Sequence, residues 1–80
     1  MKELIDHLNN RVKVINENVK NAKTPSHEIF YVGKIAEIEL TMGFLIEQGV
    51  AELDKDSSIA GQLTDWIQIK PTIPNPLHFS

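Results

Sequence analysis

The sequence predicts an all-α fold: an antiparallel helical hairpin, then a short third helix, then an extended proline-rich carboxy-terminal arm. Three observations predict it. Apolar residues recur at helical spacing through two long segments; a polar break containing "TPS" separates them; and Pro71, Pro74 and Pro76 punctuate the end of the chain. The 80 residues read as a single domain, with the hairpin at about 2–48, the short helix at about 58–68 and the arm at 69–80.

The first helix is expected over about Lys2 to Ala22. Leu4, Leu8, Val12, Ile15, Val19 and Ala22 follow one another by threes and fours, so at about 100° per residue they form one stripe, with Ile5 on its border. Lys2, Asp6, Asn10, Lys13, Glu17 and Lys20 take the opposite side, and Val14 alone projects away from the stripe. "NAKTPSHE" interrupts the pattern. Thr24 is suited to accept a hydrogen bond from an open amide of the next helix, and Pro25 to occupy a first helical position that needs no amide donor. The short connection makes the two helices antiparallel neighbours.

The second helix is expected from Pro25 or Ser26 to Gln48, with Gly49 as a left-handed C-cap and Val50 folding back on Leu45. A strand competes over 38–46, where apolar and polar residues partly alternate. Helix is preferred because the helical spacing reaches back to Ile29 and both ends carry a cap. This helix is apolar on two sides. One stripe holds Ile29, Val32, Ala36, Leu40 and Gly43; another holds Tyr31, Ile35, Ile38, Met42, Leu45 and Ile46. Lys34, Glu37, Thr41 and Gln48 form a narrow polar wedge. A hairpin partner covers only one apolar face, so the other must meet the third segment, the arm or a second copy. Gly43, which costs a helix about 1 kcal/mol relative to alanine, then has a reason: with Ala36 and Gly33 it permits close approach of a facing helix. The subunit contact is accordingly assigned to Ile35, Ile38, Met42, Gly43, Leu45 and Ile46.

After the acidic loop "ELDKDSS", Asp56 or Ser57 is placed to cap the short helix, whose Ile59, Leu63, Trp66 and Ile67 share a face. The prolines of "IKPTIPNPLHFS" oppose helix and central strand alike, leaving an extended arm.

Composition narrows the classes of function. A hydrophobic content of 41% with 24% charged residues suits a folded domain. With no cysteine, neither a disulfide nor a thiolate metal cluster supplements a thin core, which leaves oligomerisation as the usual remedy at this size. No apolar run approaches the roughly 20 residues that span a bilayer, and "MKELIDHLNN" is too polar for a secretory signal. The expectation is a cytoplasmic protein without a membrane partner. The net charge of −3 opposes binding to a nucleic-acid polymer. Its distribution is uneven: Lys2, Arg11, Lys13, Lys20, Lys23 and Lys34 outnumber the acids of the first 34 residues, whereas Lys55 stands alone among the acids of 35–69. The basic half is suited to a small anion.

Catalytic motifs are missing. "HEIFY" opens like the zinc-protease motif, but Tyr31 stands where a second histidine must be, and His7, His27 and His78 fall in three different segments. There is no thiol nucleophile, no nucleophile elbow and no phosphate loop. No catalytic residue, metal site or cofactor is expected. A binding set does emerge near the hairpin turn: Lys20, Lys23, His27, Phe30, Tyr31 and Lys34, with Arg11 and Trp66 added from other segments, combine cations for phosphates with rings for a base. The free amides at the start of the second helix favour an anion as well. The plainer reading, a solvated helix end, competes for each of these residues.

The stretch "LTMGFL", Leu40 to Leu45, resembles the L-x-x-G-F motif followed by an apolar residue in the second long helix of small phage proteins, the anti-CBASS and related anti-Thoeris helical-hairpin sponges. Ala36 falls where that family has a small residue, seven positions before the motif glycine, and Val32 where it has a large apolar one. The resemblance covers about Leu8 to Gln48. It implies a homo-oligomer of packed hairpins whose between-subunit pockets sequester a cyclic nucleotide or ADP-ribose-type immune signal in the host cytoplasm. The family's ligand-contacting tyrosine and lysine near the amino terminus have no matched positions here, and the third helix and arm exceed its minimal pattern. The alternative from a different class is a protein–protein interaction module, an inhibitor or adaptor that presents an apolar helix face to a macromolecule.

Overall fold

The computed structural model describes residues 2–61 and 64–72. Helix α1 (Lys2–Lys20) and helix α2 (Pro25–Glu47) form the antiparallel hairpin. Strand β1 (Ala51–Leu53) follows, then a single 3₁₀ turn (Lys55–Ser57), then strand β2 (Ile69–Pro71), antiparallel to β1. β1 lies against α2 and β2 against α1. The hydrophobic core therefore lies between the helices and beneath this small sheet. No helix among the described residues is long and apolar enough to cross a membrane.

Local chemistry fixes the ends of α2 as the sequence predicts. Thr24 is extended, its Oγ1 accepts from the His27 amide at 3.2 Å, and Pro25 begins the helix. At the other end Gly49 takes φ +76°, its amide donates to the Ile46 carbonyl, and the Val50 amide donates to Leu45 at 3.2 Å. These two bonds make a Schellman cap, which turns the chain back along the helix and delivers Val50 and Ala51 to the core.

The all-α expectation is overturned by the two-stranded sheet, and the third helix over 58–68 does not form. Ile59 and Trp66 are instead antiparallel partners, exchanging backbone bonds of 3.0 and 2.8 Å. Downstream the register runs Leu53 with Ile69, Glu52 with Lys70 and Ala51 with Pro71. Bonds from Asp54 to Gln68 and from Thr72 to Val50 extend the ladder. The physical reason is visible in "IQIKPT", where Ile67, Ile69 and Pro71 alternate with Gln68, Lys70 and Thr72 at the period of a strand. Pro71 is tolerated because both strands of a two-stranded sheet are edges. The first residues of the expected arm, 69–71, are thus β2, while 73–80 lie outside the described residues.

The sheet also shifts the buried face of α1. Ile5 is fully buried and Leu4 is exposed, the reverse of their expected ranking. Ile5 lies on the flank that carries Asn9, Val12 and Asn16, and this is the flank that the carboxy-terminal segment covers.

Three asparagine and glutamate side chains hold that segment against the hairpin. Asn9 donates from Nδ2 to the Ile69 carbonyl at 2.7 Å and accepts the Ile69 amide on Oδ1 at 3.0 Å, so its amide pairs with Ile69 as a neighbouring strand would. Asn16, buried, accepts the Trp66 indole N–H at 2.9 Å and donates to the Ala60 carbonyl at 3.1 Å. Glu39 of α2 accepts the Ile67 amide at 3.2 Å. Among the described residues no buried side-chain polar atom is left unsatisfied, which is what a polar seam in a small core requires.

Candidate functional site

Helix α2 has four different environments around its circumference, and they decide what it can bind. Toward α1 it buries Ile35, Ile38, Met42 and Leu45. On one flank, the carboxy-terminal segment meets Glu39, while Val32 and Ile46 are half-buried against the core. On the side away from the core, Ile29 is 71% exposed, Leu40 76% and Phe44 57%. Gly33 and Ala36 are exposed between them and Gly43 is half-exposed.

This arrangement corrects the expected subunit contact. Of that set, Ile35, Ile38, Met42 and Leu45 are occupied in the chain's own core, and Ile46 and Gly43 are half-buried. The reason is that α1 packs along this face of α2 and β1 joins it, leaving only Tyr31 and Ile46 of that stripe half-buried. The face left over carries Ile29, Ala36 and Leu40 of the other stripe together with Phe44, while Val32 and Gly43 of that stripe are half-buried. A Cβ built at Gly33 or Gly43 meets nothing within 4 Å, so neither glycine is needed for packing within one chain.

The remaining flank of α2 carries the polar wedge and faces α1 across an open groove of about 370 Å³, lined by Leu8, Arg11, Lys34, Glu37, Ile38 and Thr41. Two of the expected ligand residues, Arg11 and Lys34, meet here although they come from different helices. The Lys34 ammonium sits 4.7 Å from the centre of the Phe30 ring, a cation–π contact. Phe30 meets Tyr31 edge to face, with centroids 5.4 Å apart and an angle of 63°. The groove thus has two cations, one carboxylate and an aromatic neighbour.

The other expected residues are not gathered there. Lys20 pairs with Glu17 at 3.5 Å on the exposed side of α1. Lys23 and His27 are exposed around the hairpin turn. Trp66 is buried against Asn16 and offers no ring face to a ligand in the groove. Its indole serves the structure, closing the core under the sheet with its one polar atom satisfied.

Asn9, Asn16, Glu39 and Gln68 were not singled out by sequence reasoning. A signal existed for the first two. Seven residues apart, they lie two turns apart on one edge of the apolar stripe of α1, where a polar side chain becomes buried once another element covers that edge. A comparison of the chain with protein families, curated proteins and solved structures finds no match.

Proposed function

We propose that this chain is a non-catalytic binding module whose working surface is the outward face of α2. The observation that carries the reading is the exposure of Ile29, Leu40 and Phe44, three large apolar side chains over four turns of the longest helix. A single exposed leucine is ordinary, but a continuous apolar stripe loses free energy to water and marks a contact surface. An amphipathic helix recognised through anchors at this spacing is a standard mode of protein recognition. The test compares the wild-type chain with Leu40→Glu in a proximity-labelling or pull-down experiment, with circular dichroism verifying that the variant stays folded. A partner held by the wild type and lost by the variant supports the module. Identical partner sets for the two proteins refute it.

A second reading, sequestration of a nucleotide-derived signal, is supported by the convergence of Arg11 and Lys34 on one groove. Charge-assisted bonds from the two cations would hold phosphates, with Phe30 or Tyr31 beside a base. Incubation with cyclic di- and trinucleotides and ADP-ribose derivatives tests it. Stabilisation that Arg11→Ala abolishes, with intact ligand recovered after heating, is the expected result; no thermal shift across the panel removes this reading.

A further inference from the structure

The stripe on α2 is complementary to itself when inverted. Ile29, Gly33, Ala36, Leu40 and Gly43 follow one another by fours and threes and end at Glu47, the spacing of a helix-pairing seam. Ile29 on one side and Leu40 with Phe44 on the other flank the small Gly33 and Ala36. If a second α2 is laid antiparallel on the first with the two-fold axis beside Ala36, each Leu40 lies over the partner copy's small position 33. Each Phe44 then stands level with the other copy's position 29. Neither glycine has an intramolecular neighbour where its Cβ would be, so both positions are open to a partner's side chain.

Charge chooses the same orientation. Glu47 is exposed at the carboxy-terminal end of the stripe, and Lys23 is exposed just before the amino terminus of α2. An antiparallel pair sets each carboxylate beside the other copy's lysine and the positive end of its helix dipole. A parallel pair would oppose the two Glu47 carboxylates and align the dipoles. We propose that the outward face of α2 is occupied by a second copy of this chain, in an isologous antiparallel α2–α2 contact centred beside Ala36. This rests on the reading of that face as a contact surface and names its occupant.

The chain has no cysteine, so single cysteines report the geometry cleanly. The contact predicts a dimer by sedimentation for the wild type and a folded monomer for Leu40→Glu. Ala36→Cys, at the axis, oxidises to a disulfide-linked dimer. Leu40→Cys does not, because its counterpart lies roughly 10 Å further along the axis, beyond the Cα separation of about 7 Å that a disulfide spans. Glu47→Lys weakens association by about tenfold or more, and the double change Lys23→Glu with Glu47→Lys restores it. A wild type that stays monomeric at about 1 mM overturns the proposal, as does cross-linking of Leu40→Cys equal to that of Ala36→Cys. In either case, a different protein captured by the wild type and lost by Leu40→Glu keeps the contact-surface reading; the absence of any partner that depends on Leu40 removes both.

Discussion

At the scale of single residues, polar atoms inside a thin core carry as much consequence as the apolar ones around them. The Asn16 amide satisfies the indole N–H of Trp66 and the Ala60 carbonyl at once. Asn16→Ala leaves that buried indole N–H without a partner and is expected to cost about 2–3 kcal/mol; urea unfolding monitored by the fluorescence of Trp66, the chain's one tryptophan, measures it. The glycines divide by the same kind of reasoning. Gly49 holds φ +76° in the cap of α2, so Gly49→Ala is expected to destabilise by about 1–2 kcal/mol through left-handed strain. Gly43 has free space at its Cβ and helical backbone, so Gly43→Ala is expected to stabilise an isolated chain by up to about 1 kcal/mol. Melting the two variants side by side checks the opposite signs. Gly61 is held by crowding, since a Cβ there would press on the Thr64 carbonyl and lie 2.8 Å from Trp66 Nε1.

At the scale of elements, what was legible depended on how far away each element's partners lie. The limits of α2 follow from Thr24, Pro25 and Gly49, all adjacent to the ends they cap, and these signals are local and strong. β2 depends on partners far away in the chain: Ile69 pairs with Leu53 and with the side chain of Asn9, sixty positions upstream. Nothing between Ser58 and Thr72 states that pairing, and Ile59, Trp66 and Ile67 also fit a helical face, so the local pattern alone favoured the wrong element. The alternation in "IQIKPT" was the available correction. The arrangement predicts that Asn9→Leu exposes the Ile69 amide, raising its hydrogen exchange well above wild type, while amides at the centres of α1 and α2 keep their protection. Equal protection of Ile69 in both proteins would show that the sheet holds itself without Asn9.

At the scale of the whole molecule, the sequence showed that α2 carries two apolar faces but not which one the chain keeps for itself. Both have similar content, and the choice is made by which face α1 packs against, a decision of tertiary packing. With α1 packed along it and the carboxy-terminal segment held on the flank by Asn9, Asn16 and Glu39, α2 encloses Ile35, Ile38, Met42 and Leu45 and turns Ile29, Leu40 and Phe44 outward. The candidate ligand residues followed the same logic: packing of the hairpin sets Arg11 and Lys34 along one groove, whereas Trp66 goes under the unforeseen sheet. On the proposed reading, stability and binding are divided between the unequal sides of one helix. The most direct measurement compares Met42→Gln with Leu40→Gln, two residues apart, by denaturant unfolding across a dilution series. Met42→Gln is expected to lose about 2–4 kcal/mol at every concentration, and Leu40→Gln to stay within about 0.5 kcal/mol of wild type in the dilute limit. Equal losses, or a larger loss at Leu40 in that limit, would contradict the assignment of the two faces.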